Sequence, residues 1–275
     1  MNQTHLTIAR STFAAAAVLA ALVAPTGCNF QTNGNLAEDA TASVSQAQKA
    51  AGITRLATQP VREEDQGSAA NAATRLEQDS IAGLYPAGCV AVTRISLTEV
   101  HLEFDDCTGP FGLVHLRGGI DETFSLDPNG KIVADLADSG DFTAEGYAVD
   151  YQAHAELRSL SADQAEIGWQ SHWQTDIAKG KTVTCDSDVV ILAEPSTGCL
   201  TIDGTSAAAV ADRGLDMTIE GYAVCPAVCP SDGTITATGK SSNETVVIDF
   251  NGSDKATVSW QGGNSTEVPL VCIAL

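Results

Sequence analysis

From Gly88 onward the chain alternates apolar and polar residues, and Gly, Asn, Asp or Ser turns interrupt the alternation roughly every 8 to 12 residues. Successive side chains of a strand point to opposite faces, so this pattern makes ribbons with one apolar and one wet face. The expected fold class is all-β: an antiparallel meander of hairpins forming a curved sheet, sandwich or barrel-like body over residues 85–275. The strand pattern continues without a linker, so one domain is expected.

The stretch Val100–Gly119 concentrates two histidines, acidic residues, a cysteine and an arginine, and it reads as a hairpin. Folded about Thr108, it places Phe104, Leu102 and Val100 opposite Gly112, Val114 and Leu116 on an apolar face. The wet face then sets Glu103, His101 and Glu99 opposite Leu113, His115 and Arg117. Asp106-Cys-Thr-Gly-Pro110 supplies the turn. His101 and His115 would be directly opposed, which makes them a weak metal candidate with Glu103 or Asp105 as an imagined third ligand. Two ligands do not make a tight site, so the expectation is solvated histidines and no metal; His154 and His172 have no ligand spacing.

A second hairpin pairs Val246, Ile248 and Phe250 with Trp260, Val258 and Ala256 around Asn251-Gly-Ser253. Asp127-Pro-Asn-Gly130 reads as a turn joining Thr123–Leu126 to Lys131–Ala134. Ile167, Trp169, Ser171 and Trp173 share one face of an extended segment, and such an aromatic stripe reads as core before it reads as a ligand platform. The Gly-Cys pairs at 88–89 and 198–199 each open a module, suggesting quasi-repeats over 88–186 and 188–275.

Eight cysteines are present, at 28, 89, 107, 185, 199, 225, 229 and 272. The repeat suggests Cys89 with Cys107, and Cys199 with Cys229 or Cys225, leaving Cys272 for the other member of that pair and Cys185 as the odd one. Zinc fits poorly, because no second close pair completes Cys225 and Cys229.

The N-terminus explains why disulfides suit this chain. Arg10 is followed by an unbroken apolar run from Phe13 to Ala24 and then Pro-Thr-Gly-Cys28. That run is too short for a permanent membrane span and fits a secretory signal peptide, residues 1–27. Thr26-Gly27-Cys28 resembles the bacterial lipobox, although Pro25 stands where Leu is usual. The resemblance implies a lipid on Cys28, and Asn29 after it implies sorting to the outer membrane. Residues 28–68 are rich in Ala, Gln, Asn, Ser and Thr and read as a lipidated flexible tether. Residues 69–84 favour a short helix with Ser68 or Asp65 as cap and Leu76, Ile81 and Leu84 available for contact.

Lys and Arg number 14 against 35 Asp and Glu, a net charge of −21. No basic cluster exists to hold phosphates, which argues against a nucleic-acid partner. No Gly-x-Ser-x-Gly elbow, His-Glu-x-x-His helix, phosphate loop or dinucleotide fingerprint occurs, so no catalytic residues and no cofactor are assigned.

The lipobox-like leader, Gly-Cys-Val at 88–90, Phe104-Asp-Asp-Cys-Thr-Gly-Pro-Phe-Gly112, the second Gly-Cys and the terminal Leu-Val-Cys272 resemble predicted lipoproteins of unknown function from deltaproteobacteria of the myxobacterial kind. The likeness spans Gly88 to Cys272 and brings no activity with it; Cys185 looks like an addition to the pattern. The expected function is an outer-envelope lipoprotein with a structural or protein- or polymer-binding role, attached to the membrane through its N-terminal lipid. A periplasmic carrier of a lipid or other apolar ligand is the alternative, and a hydrolase comes third.

Overall fold

The computed structural model describes residues 67–78, 86–108, 115–144, 146–161, 164–176, 181–194, 197, 199–210, 213–225 and 229–270. The signal peptide, Cys28, nearly all of the tether and Cys272 lie outside the described residues.

The chain opens with helix α1, Ala69–Gln78. Ser68 caps it, its hydroxyl accepting from the Asn71 amide at 3.3 Å. Ala72, Ala73 and Leu76 are buried on the helix's inner side; the expected contacts Ile81 and Leu84 lie outside the described residues. The strands that follow are β1 (Val90–Arg94), β2 (Glu99–Thr108), β3 (His115–Leu126), β4 (Ile132–Asp138), the short β5 (Thr143–Ala144), β6 (Tyr147–Leu160), β7 (Ala165–Asp176) and β8 (Thr182–Glu194). They continue as β9 (Cys199–Val210), β10 (Arg213–Val224), β11 (Asp232–Gly239), β12 (Thr245–Asp249), β13 (Lys255–Trp260) and β14 (Ser265–Pro269). All join one antiparallel sheet in chain order, with β5 beside β3 and β6. The all-β meander read from the alternation is what forms.

Nearly all buried apolar residues of α1 and the strands belong to one cluster, running from Ala69 to Val258. A single sheet can enclose one face against itself only by curling, so the buried row is the inside of a curved body. Trp169, Tyr222, Phe124 and Phe142 are its largest fully buried side chains. Ile167, Trp169 and Trp173 point into this core, as the stripe on β7 predicts.

Three local readings hold. Val246 pairs with Trp260 and Ile248 with Val258. Leu126 pairs with Ile132 across the turn 127–131, where the Asp127 amide donates to the Lys131 carbonyl at 2.8 Å. Cys89 is disulfide-bonded to Cys107.

The Val100–Gly119 hairpin requires a correction. β2 runs on to Thr108, the middle of the expected turn, and β3 begins only at His115. Val100 therefore lies opposite Glu122, Leu102 opposite Ile120 and Phe104 opposite Gly118. The displacement is six residues, an even number, so Val100, Leu102 and Phe104 still face the core while every cross-strand partner changes. A bulge between Phe104 and Cys107 lets the strand continue, with Asp106 at φ 53°. Gly118 has φ +84°, and a Cβ there would sit 2.3 Å from the Asp141 carbonyl oxygen, so this glycine lets β3 pass under the 139–142 segment.

The quasi-repeat has a structural counterpart. Cys199 is bonded to Cys225, tying β9 to the end of β10 as Cys89–Cys107 ties the start of β1 to β2. In both cases a bulge in the second strand precedes its cysteine, between Phe104 and Cys107 and between Ile219 and Tyr222.

Candidate binding trough on the polar face

Three features of the sheet could carry chemistry: the histidines, the cysteines and a trough across the solvent-facing side. The described histidines of the body share one arrangement. His101 is paired with Asp121, His154 with Asp135 and His172 with Asp186, each directly across adjacent strands. The Nδ1–Oδ1 distances are 2.6, 2.6 and 2.7 Å. His115 reaches Asp106 at 3.0 Å across the bulge, beside Arg117. His101 is therefore not opposite His115, and the metal pairing rested on the wrong register. His101 is held instead by Asp121 and by Glu103 at 3.1 Å. Among the described residues no group of three or more His, Cys, Asp or Glu is placed to hold a metal ion.

His154 keeps its proton to higher pH than an ordinary histidine, chiefly because Asp135 accepts its hydrogen bond and secondarily despite partial burial. His101 is shifted the same way, chiefly by Asp121.

The trough crosses β4, β6, β7, β8, β9 and β10 and encloses about 800 Å³. Its floor follows from the alternation. Leu136, Ala153 and Met217 are buried on the inner face, so their sequence neighbours point outward. One outward row carries Ala137, Gln152, His172, Asp186, Ala207 and Asp216, and the other carries Asp135, His154, Gln170, Asp188, Thr205 and Thr218. Its acids have donors: besides the two histidine pairs, Gln170 Nε2 donates to Asp188 at 3.3 Å and Lys240 Nζ lies 3.0 Å from Asp216. The result is a ribbon of cross-strand donor–acceptor pairs whose remaining lone pairs and N–H groups face solvent. No serine or threonine hydroxyl is bonded to His154 or His172 among the described residues, and Ser171, Ser187 and Ser206 belong to the inner face.

The enclosed face holds a contrasting group. Glu122 is 1% exposed, and its Oε1, the Tyr151 hydroxyl and the Trp169 indole N–H have no hydrogen-bond partner among the described residues. Burial pushes the Glu122 carboxyl well above the usual carboxylate range, and it raises Tyr151 too, helped by the Glu122 charge. Nothing in the sequence singled out Glu122, because the expected register sent the partner strand elsewhere.

Of the cysteines, Cys185 is a buried thiol opposite Trp173 and Ala208, outside the disulfides. Cys229 is oxidised as a disulfide; its expected partner Cys272 lies outside the described residues, as does Cys28. The sequence reading set His154 and His172 aside for lack of ligand spacing and missed their aspartates, which lie 19 and 14 residues away. Only the strand register brings them together. No protein-family model, curated protein or solved structure matches this chain.

Proposed function

We propose that the protein is an exported lipoprotein of the outer envelope, anchored through Cys28, whose β body works by binding a protein or polymer on its polar face. The trough is the observation that carries this reading. Six strands at about 4.8 Å spacing give it a length of roughly 24 Å, room for about seven extended residues or a comparable length of another polar chain. Its four aspartates already have donors, so a ligand meets a surface that is in part preformed. The export-type leader, the oxidised cysteines and the resemblance to myxobacterial envelope lipoproteins support the location.

A photo-crosslinking residue at Gln152, inside the trough, tests the binding reading in intact cells against the same residue at the exposed Glu220 on β10. Adducts with a protein or wall polymer formed from Gln152 alone support it; equal labelling from both positions refutes it. Anchoring is tested by the mass of the N-terminal peptide and by Cys28→Ser, which should release the protein from membranes. The carrier alternative requires an apolar ligand inside, on the face that buries Trp169, Phe124 and Phe142. A lipid extracted in stoichiometric amount from the purified protein would replace the binding reading with that one.

A further inference from the structure

Four large apolar side chains are exposed among the described residues, and three of them lie at one end of the sheet. Ile95 (57% exposed) and Leu97 (75%) form the β1–β2 turn, and Leu126 (43%) ends β3 beside it. The adjacency is fixed by backbone bonds: the Phe124 amide donates to the Thr98 carbonyl at 2.7 Å, and the Ile95 amide donates to the Glu99 carbonyl at 2.9 Å. Tyr147, the fourth, begins β6 at the opposite end, since β4 runs away from the turn that follows Leu126.

The same end receives the N-terminal chain. Arg94 donates to the carbonyls of Ser96 at 2.8 Å and Leu97 at 2.6 Å, and also to the Ala70 carbonyl at 3.3 Å and the Thr74 hydroxyl. One guanidinium therefore holds the turn against the first residues of α1. The described chain begins at Gly67, three residues before the Ala70 that Arg94 holds, so its N-terminal end lies at this end of the sheet.

We propose that this end, with Ile95, Leu97 and Leu126, rests on the surface of the bilayer that holds the N-terminal lipid. The proposal rests on the anchoring reading above. A chain with a formal net charge of −21 gains nothing from an anionic headgroup layer, so the contact is apolar rather than electrostatic. Three side chains are too few to hold a free protein on a membrane. Attachment makes the encounter intramolecular, and a weak apolar contact then suffices to orient the body.

The test uses the full mature chain, purified with its N-terminal modification and reconstituted in phosphatidylcholine vesicles with brominated acyl chains. Leu97→Trp reports the apolar end and Tyr147→Trp the far end, both against the fluorescence of the native tryptophans; Ile95→Trp repeats the first reading at a second exposed position. The expected result is a blue-shifted signal at 97 and 95, quenched roughly twofold or more relative to 147 and insensitive to salt. Vesicle-bound protein with equal quenching at both ends overturns the proposal while leaving the anchor intact. Protein that does not float with the vesicles and carries no lipid on Cys28 overturns the anchoring reading and the proposal with it.

Discussion

Glu122 is the residue at which this fold works against itself. It sits on the inner face of β3 between Val100 and the buried Leu136, 1% exposed, with one carboxyl oxygen lacking any partner among the described residues. Leaving a buried polar group unsatisfied costs about 1–3 kcal/mol, so Glu122→Leu should stabilise the protein by that amount at pH 5, less any strain from the branched side chain. The pH dependence has a definite sign. The folded carboxyl titrates well above the unfolded one, so the folded state holds the extra proton between the two values. Wild-type stability from this group is fully present below the ordinary carboxylate pKa and falls as pH rises through the raised folded value. Glu122→Gln cannot ionise, so it should remove that decline while keeping a buried amide; Glu122→Leu should remove both the decline and the orphaned group. Urea unfolding of the three proteins between pH 5 and pH 9 separates these contributions. Destabilisation by leucine at pH 9, or equal pH dependence in wild type and the glutamine variant, would refute the reasoning.

Three further outcomes follow from the same structure. Replacing Cys89 and Cys107 together by alanine opens an 18-residue loop in the unfolded chain and should lower stability by about 3 kcal/mol, with slightly more for Cys199 and Cys225 at a separation of 26; urea titration of each double variant, with the oxidised wild type as reference, measures it. Asp135→Asn should bring the His154 pKa down toward the ordinary histidine value, read by NMR titration of the imidazole protons, with only a small stability change because the pair is solvent-exposed. Gly118→Ala should destabilise by about 1–3 kcal/mol, since it combines a left-handed backbone with a Cβ 2.3 Å from the Asp141 carbonyl; a thermal melt unchanged within error would count against the described register.

How much was legible in the sequence depended on the length of each connection. The 246–260 hairpin was read correctly because Asn251-Gly-Ser253 leaves the strands one register. The turn at 127–130 was read for the same reason, with the Asp127 carboxylate accepting from the amides of Asn129 at 2.8 Å and Lys131 at 2.7 Å. The β2–β3 pairing was misread because the bulge at Asp106 and a longer connection allowed several registers that all satisfy the alternation. The trough was illegible for the same reason, since it is assembled from residues on six strands that no local motif connects.

The sequence alone determined which residues turn inward, because a period of two assigns faces and is indifferent to an even displacement between strands. It therefore determined the all-β class, the buried stripe of Ile167, Trp169 and Trp173, and the placement of Val100, Leu102 and Phe104 on the core side. Only the tertiary structure decided which side chains meet. Cross-strand partnership depends on register, and register here depends on bulges, glycines and disulfides acting between segments far apart in the chain. That is why histidines separated from their aspartates by 14 to 20 residues become hydrogen-bonded pairs, and why Glu122 is buried with one carboxyl oxygen unpartnered among the described residues.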